Sequence, residues 1–266
     1  MQRAGFIGLG AMGAPMAKRI VSAGFDLSAF DVRPENADPL VELGARRAGS
    51  PREAAEGAEA LVLMVVNAEQ AEDALFGGDG AAETLSPESA VVVMSTVGPE
   101  AVRRIEGRLA GRGVKLLDAP VSGGVARAER GDLLIMAGGP ADLFEEVRPL
   151  LAAMGSTVAH CGGSVGDGQS VKLVNQLLCG VHVAVAGEAL AYAEALGLDP
   201  RSVFETIRHG AANSFMLEDR GERMLGREFV PAKSALDIFV KDMGLVRLAA
   251  GEQGFRTPLA DAAYRL

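Results

Sequence analysis

Five short apolar runs in the first 120 residues restrict this chain more than any other feature. They are Ala4-Gly5-Phe6-Ile7-Gly8, Leu27-Ser28-Ala29-Phe30, Ala60-Leu61-Val62-Leu63-Met64-Val65, Ala90-Val91-Val92-Val93-Met94 and Lys115-Leu116-Leu117-Asp118-Ala119. Each has the length of a strand and is bounded by Gly, Pro or charge. Residues apolar at consecutive positions need cover on both faces, which is the condition of a parallel sheet between two helical layers. The stretches between the runs, 14–23, 34–43, 68–76 and 99–112, read as helices. This alternation predicts an α/β, doubly wound Rossmann domain. A strand over 133–137, a helix over 141–154 and a strand over 157–160 complete it.

Past Gly168 the pattern changes and no further strand is predicted. Residues 170–196 read as one long helix, apolar nearly all round, which is expected to be buried. Gly197 stops it, and Leu198-Asp199-Pro200 starts the next helix. Shorter helices are expected over 200–209, 214–226, 234–251 and from 258 onward. The expected organisation is a sheet domain over 1–163 and an all-α domain over 164–266, entered through the long helix.

Gly8-Leu9-Gly10-Ala11-Met12-Gly13 is a G-x-G-x-x-G that leaves an apolar strand and opens a helix at Ala14. That context makes it a dinucleotide fingerprint. Gly8 allows the tight turn, Gly10 lets backbone approach a pyrophosphate, and Gly13 lets helix and strand pack closely. The helix start then presents free N–H groups to phosphate. Asp31 ends the second strand where an acidic residue accepts a hydrogen bond from an adenosine ribose, and Val32 and Arg33 follow it. A carboxylate there favours NAD by repelling a 2′-phosphate. Arg33 leaves NADP possible.

The net charge of −9 gives the chain no reason to seek nucleic acid or an anionic membrane. Lys172, Asn175, Gln176, His182, Glu188 and Glu194 interrupt the long apolar helix, so a membrane span would be costly. Cys161 and Cys179 match neither a disulfide framework nor a zinc spacing and are expected to be packed thiols. The three histidines, His160, His182 and His209, are scattered, so no metal is expected. Low cysteine use and an N-terminus that starts as a strand point to the cytoplasm.

Four motifs, in order, resemble those of the β-hydroxyacid dehydrogenase family. They are Gly8-Leu9-Gly10-Ala11-Met12-Gly13-Ala14-Pro15-Met16, Asp118-Ala119-Pro120-Val121-Ser122-Gly123-Gly124, Gly168-Gln169-Ser170-Val171-Lys172-Leu173-Val174-Asn175-Gln176 and Lys241-Asp242. Residues 209–216 and 234–242 look most like members acting on four-carbon sugar acids such as L-threonate. Three-carbon acids of the 3-hydroxyisobutyrate and tartronate semialdehyde kind are the alternative.

The resemblance implies hydride transfer between a nicotinamide dinucleotide and a small hydroxy acid, with Lys172 as general acid and base. A lysine desolvated at the start of a helix is able to fill that role. Ser122, Gly123 and Gly124 would hold the substrate carboxylate. Asn175, Gln176 and Asn213 would bind its hydroxyl groups. The family often carries Asn four residues after its lysine. Here that place is Gln176, and Asn175 stands one residue earlier, so both remain candidates. Val65, Val66 and Thr96 end strands on the ligand face and would line the cofactor cleft together with Lys241. Ser95 and Asn67 are their neighbours. A homodimer or homotetramer is expected. The rival class, a dinucleotide-binding scaffold without turnover, would have no need of Lys172.

Overall fold

The computed structural model describes residues 1–227 and 236–266. Two compact units divide at the Lys172/Leu173 peptide, inside the long helix.

Unit 1 is built on a nine-stranded sheet. Strands β1 (Arg3–Ile7), β2 (Asp26–Phe30), β3 (Arg46–Arg47), β4 (Ala60–Leu63), β5 (Ala90–Val93) and β6 (Lys115–Asp118) run parallel in the order β3-β2-β1-β4-β5-β6. The chain starts at β1, winds one way to β3, then returns across β1 to wind the other way. The crevice at that reversal is where such sheets take ligands. The far edge departs from the all-parallel expectation. β7 (Val121–Ser122) and β6 both pair antiparallel with β8 (Leu134–Gly138), and β9 (Thr157–Gly162) pairs parallel with β8. β7 runs in the same sense as β6, and the chain reverses between β7 and β8, through α6 (Gly124–Arg130).

Period two along the strands explains both layers. Phe6, Val62, Val92 and Leu117 point into one apolar cluster, with Met16 and Ile20 of α1 (Gly13–Ser22) and Leu143 and Leu150 of α7 (Ala141–Met154). Ile7, Leu61, Leu63, Val91, Val93 and Leu116 point into the other, with α3 (Pro51–Ala55), α4 (Ala68–Phe76) and α5 (Pro99–Ala110). The short α2 (Asp38–Val41) follows a 3-10 turn at Pro34–Ala37, so the single helix expected over 34–43 is two pieces. Strands β3 and β7 and helices α3 and α6 (Gly124–Arg130) are too short to show periodicity in sequence.

Unit 2 is helical. It takes the greater part of α8 (Asp167–Ala195), then α9 (Pro200–Ile207), α10 (Phe215–Gly226), α11 (Leu236–Glu252) and α12 (Pro258–Arg265). Ser234 and Ala235, the first two residues expected for the fourth of these helices, lie outside the described residues. Asp199 and Ser214 cap α9 and α10, accepting from the Ser202 and Leu217 N–H groups.

Helix α8 corrects one expectation. It is long and apolar enough to cross a membrane, yet only 28% of its most apolar window is buried. Val171, Val174, Leu178, Val185 and Tyr192 are all exposed. Its buried positions include polar ones, Gln169, Lys172 and Gln176. Composition alone gave no preferred face, and the polar anchors decide which side turns inward.

Candidate active site

The glycine loop bends as its sequence demands. Gly8 adopts φ +97°, and a Cβ there would collide with the Met64 carbonyl. A Cβ on Gly13 would strike the Gly8 carbonyl oxygen. At Gly10 a Cβ would meet nothing within 4 Å. Two glycines are thus required by the fold, and the third faces open space in front of the loop, which suits a pyrophosphate brought against the backbone. Leu9, Ala11 and Met12 fill the turn between them, and α1 begins with no acidic side chain in its first turn. The residues present fit a dinucleotide.

Asp31 does more than the sequence suggests. Its Oδ2 accepts from the Leu9 N–H at 2.6 Å, and its Oδ1 accepts from the Arg33 N–H at 2.9 Å and from Asn36 Nδ2 at 3.0 Å. The carboxylate therefore shapes the glycine loop while standing at the end of β2. The Arg33 guanidinium lies 4.0 Å from it and is two-thirds exposed, and Val32 is exposed.

The ends of β4 and β5 lie on the same edge of the parallel sheet as the end of β1. Ser95 is buried, and its Oγ accepts from the Val65 N–H at 2.7 Å. Its hydroxyl is thus engaged in the fold, and Thr96 beside it is half-buried. Asn67 likewise caps α4, accepting from the Gln70 N–H, while Val66 beside it is exposed. Ser122 ends β7, Gly123 takes φ +138° and Gly124 opens α6, so the expected loop is a strand–helix junction.

Asp118 and Gln169 appeared in the sequence only as motif members. Both are fully buried. Asp118 accepts from the Gly166 and Gln169 N–H groups, each at 2.6 Å. Burial pushes its carboxyl up to about 6, against the lowering pull of those two donors. The one available signal was an acid closing the apolar run of β6. Lys172, one turn beyond Gln169, is only 6% exposed.

In unit 2, Gln176 Nε2 donates to Asp242 Oδ2 at 2.5 Å, and Asn175 Nδ2 donates to Gln176 Oε1 at 2.8 Å. Lys241 Nζ lies 3.1 Å from Asp242 Oδ1. This bears on the choice between the two amides. Gln176 bonds to Asp242 and Asn175, Asn175 bonds to Gln176 and to Cys179 Sγ at 3.5 Å, and Asn175 is the less buried of the two. Asp242 is 3% exposed, so Lys241-Asp242 is not a solvated pair. Asn213 is exposed and donates to Glu218 Oε1 at 2.9 Å. Among the described residues no group of three metal-ligating side chains forms.

Residues 3–163 match the family model for the NAD-binding domain of 6-phosphogluconate dehydrogenase. Residues 166–266 match that for the NAD-binding of NADP-dependent 3-hydroxyisobutyrate dehydrogenase. L-threonate dehydrogenase of Cupriavidus necator is 41% identical over 262 residues, covering 98% of this chain and 88% of that one. The chain belongs to the β-hydroxyacid dehydrogenase family. Another relative of this dehydrogenase is 2-hydroxy-3-oxopropionate reductase of Escherichia coli, 36% identical over 96% of this chain and 86% of that one. A crystal structure of 3-hydroxyisobutyrate dehydrogenase from Salmonella typhimurium superposes with a TM-score of 0.92 at 38% identity, covering 100% of this chain and 92% of that one. The dehydrogenase is thus an NAD(P)-binding oxidoreductase with a Rossmann domain followed by a helical one.

Proposed function

We propose that this enzyme moves a hydride between NAD and a four-carbon hydroxy acid of the L-threonate class, with Lys172 as general acid and base. The observation that carries the reading is a buried lysine in the first turns of α8, in a chain whose relative at 41% identity is an L-threonate dehydrogenase. We assign the cofactor to residues 1–163 and substrate binding to residues 164–266. Hydride acceptance and donation would be supplied by a nicotinamide held there. The chain itself does the rest. Gly8 to Gly13 and the start of α1 hold the pyrophosphate, Asp31 to Arg33 meet the adenosine ribose, and Val65, Val66, Thr96 and Lys241 line the cofactor. Ser122, Gly123 and Gly124 hold the substrate carboxylate. Asn175, Gln176 and Asn213 meet its hydroxyl groups, with Asn175 the more direct contact. Lys172 takes the hydroxyl proton during oxidation and returns it during reduction.

We further propose that the protein works in the cytoplasm as a homo-oligomer. Support comes from the exposed apolar stripe of α8, whose members at 171, 174, 178, 185 and 192 follow the spacing of a self-pairing helix face.

A panel of L-threonate, 3-hydroxyisobutyrate, glycerate and L-serine, each with NAD and NADP and read by absorbance of the reduced nicotinamide, tests the reading. L-Threonate with NAD should give the largest kcat/KM. Lys172→Ala should lower kcat by about 10²- to 10⁴-fold with NAD affinity nearly unchanged. Full turnover in that variant would remove Lys172 from its role.

A further inference from the structure

We propose that Gln169 is a positioning residue, whose side-chain amide joins the loop leaving β5 to the first turn of α8 and so fixes the Lys172 amine relative to Thr96. The inference rests on the roles proposed above for Lys172 and Thr96. Gln169 Oε1 accepts from the Val97 N–H at 3.0 Å and from the Gly98 N–H at 3.1 Å. Its Nε2 donates to the Ser95 carbonyl at 2.9 Å. A single bond would leave the two segments free to swivel, whereas three bonds on one planar amide fix both distance and rotation. The segment gripped, 95–98, contains Thr96.

The other side of the turn is held as firmly. The Gln169 N–H donates to Asp118 Oδ2 and the Gly166 N–H to Asp118 Oδ1, so the ends of β5 and β6 both fasten the same turn. Lys172 lies three residues on along a continuous helix and moves with that turn. A neutral amide makes the joint without placing a further charge beside the amine. An apolar side chain of similar volume would fill the gap but leave two buried N–H groups without acceptors.

The sequence has five lysines, at 18, 115, 172, 233 and 241, so a spectrum of the full chain carrying ¹³Cε-lysine is simple, and Lys172→Arg assigns the signal of interest. In Gln169→Met the Lys172 signal should shift and its titration midpoint should move by about half a unit or more, while Lys18 and Lys115 stay in place. In the same variant kcat per NAD-binding site should fall roughly ten- to a hundredfold. Its KM and NAD Kd should change less than about threefold, and its primary deuterium isotope effect should grow. Gln169→Asn keeps a neutral amide one methylene shorter, so that fewer than the three bonds form. It should therefore show a smaller loss, and it carries the test if the methionine variant does not fold. An unmoved Lys172 titration with unchanged kcat would overturn the proposal, as would a loss confined to NAD affinity. If the native enzyme oxidises no hydroxy acid, the proposed function falls and the lysine titration still judges Gln169.

Discussion

The interior of unit 1 and that of unit 2 are built by different means. Unit 1 covers both faces of its sheet with large continuous apolar clusters, and its strands are 0–3% exposed at nearly every core position. The described part of unit 2 has two small clusters instead. Leu173, Met243, Val246 and Ala260 form one, and Ala186, Leu190, Phe204 and Leu217 the other. Between α8 and α11 it inserts a buried amide–carboxylate pair, Gln176 and Asp242. A sheet domain brings its own partner layers. A helical unit with little internal core relies on a few large side chains and on specific polar bonds.

Phe204 offers the strongest way to break that contrast. It is fully buried against α10, and Phe204→Ala should cost about 3–5 kcal/mol. Hydrogen exchange should accelerate in α9 and α10 while β1, β4 and β5 stay protected. Equal acceleration in both units would show that they do not differ in this way. Asp118 tests the polar side of unit 1. Burial pushes its carboxyl up to about 6 in the folded chain, above the ordinary carboxylate value of 3.8. Between those values the unfolded chain has released the proton that the folded one retains. Stability attributable to Asp118 therefore falls as pH rises through that window, by about 2–3 kcal/mol at most. Asp118→Asn should flatten the decline in denaturant titrations between about pH 4 and 6, and an unchanged slope would assign it to other groups.

Smaller effects separate packing from binding within the glycine loop. Gly10→Ala should leave the melting temperature alone and weaken NAD about tenfold, near 1.4 kcal/mol, because its methyl enters open space. Gly13→Ala should lower the melting temperature as well, because its methyl meets the Gly8 carbonyl. Matching behaviour in the two variants, by calorimetry and cofactor fluorescence, would contradict the geometry. Leu178→Glu should change folding stability least, within about 0.5 kcal/mol for an exposed position. It should nonetheless halve the mass seen by light scattering, and an unaltered mass would take α8 out of the proposed interface.

How much of this was legible in the sequence follows from the kind of signal each feature leaves. The β1-loop-α1 unit was readable because apolar run, glycine spacing and helix start agree at successive positions. Strands β4, β5 and β6 were readable because residues apolar on both faces have few other uses. The antiparallel edge at β7 was not, since a two-residue strand leaves no period. The exposure of α8 was misjudged because a helix apolar all round names no inward face, and Gln169, Lys172 and Gln176 turned out to set it. Among the candidate site residues, Ser95 closes a strand end and accepts from the Val65 N–H, a tertiary bond across 30 positions that no local pattern reports. Asp118 and Gln169 were visible as letters of motifs, while their buried bonds to backbone appear only when three segments meet.

The double duty of Asp31 has a consequence for redesign. Changing an enzyme of this kind to accept the phosphorylated cofactor ordinarily begins by neutralising the acid at the end of the second strand. Here the same carboxylate oxygen that would be removed satisfies the Leu9 N–H, and its neighbour oxygen anchors Asn36. A switch of coenzyme in this scaffold must therefore supply a replacement acceptor for Leu9, such as the Oγ of a serine. Otherwise the glycine loop would lose the bond that shapes it.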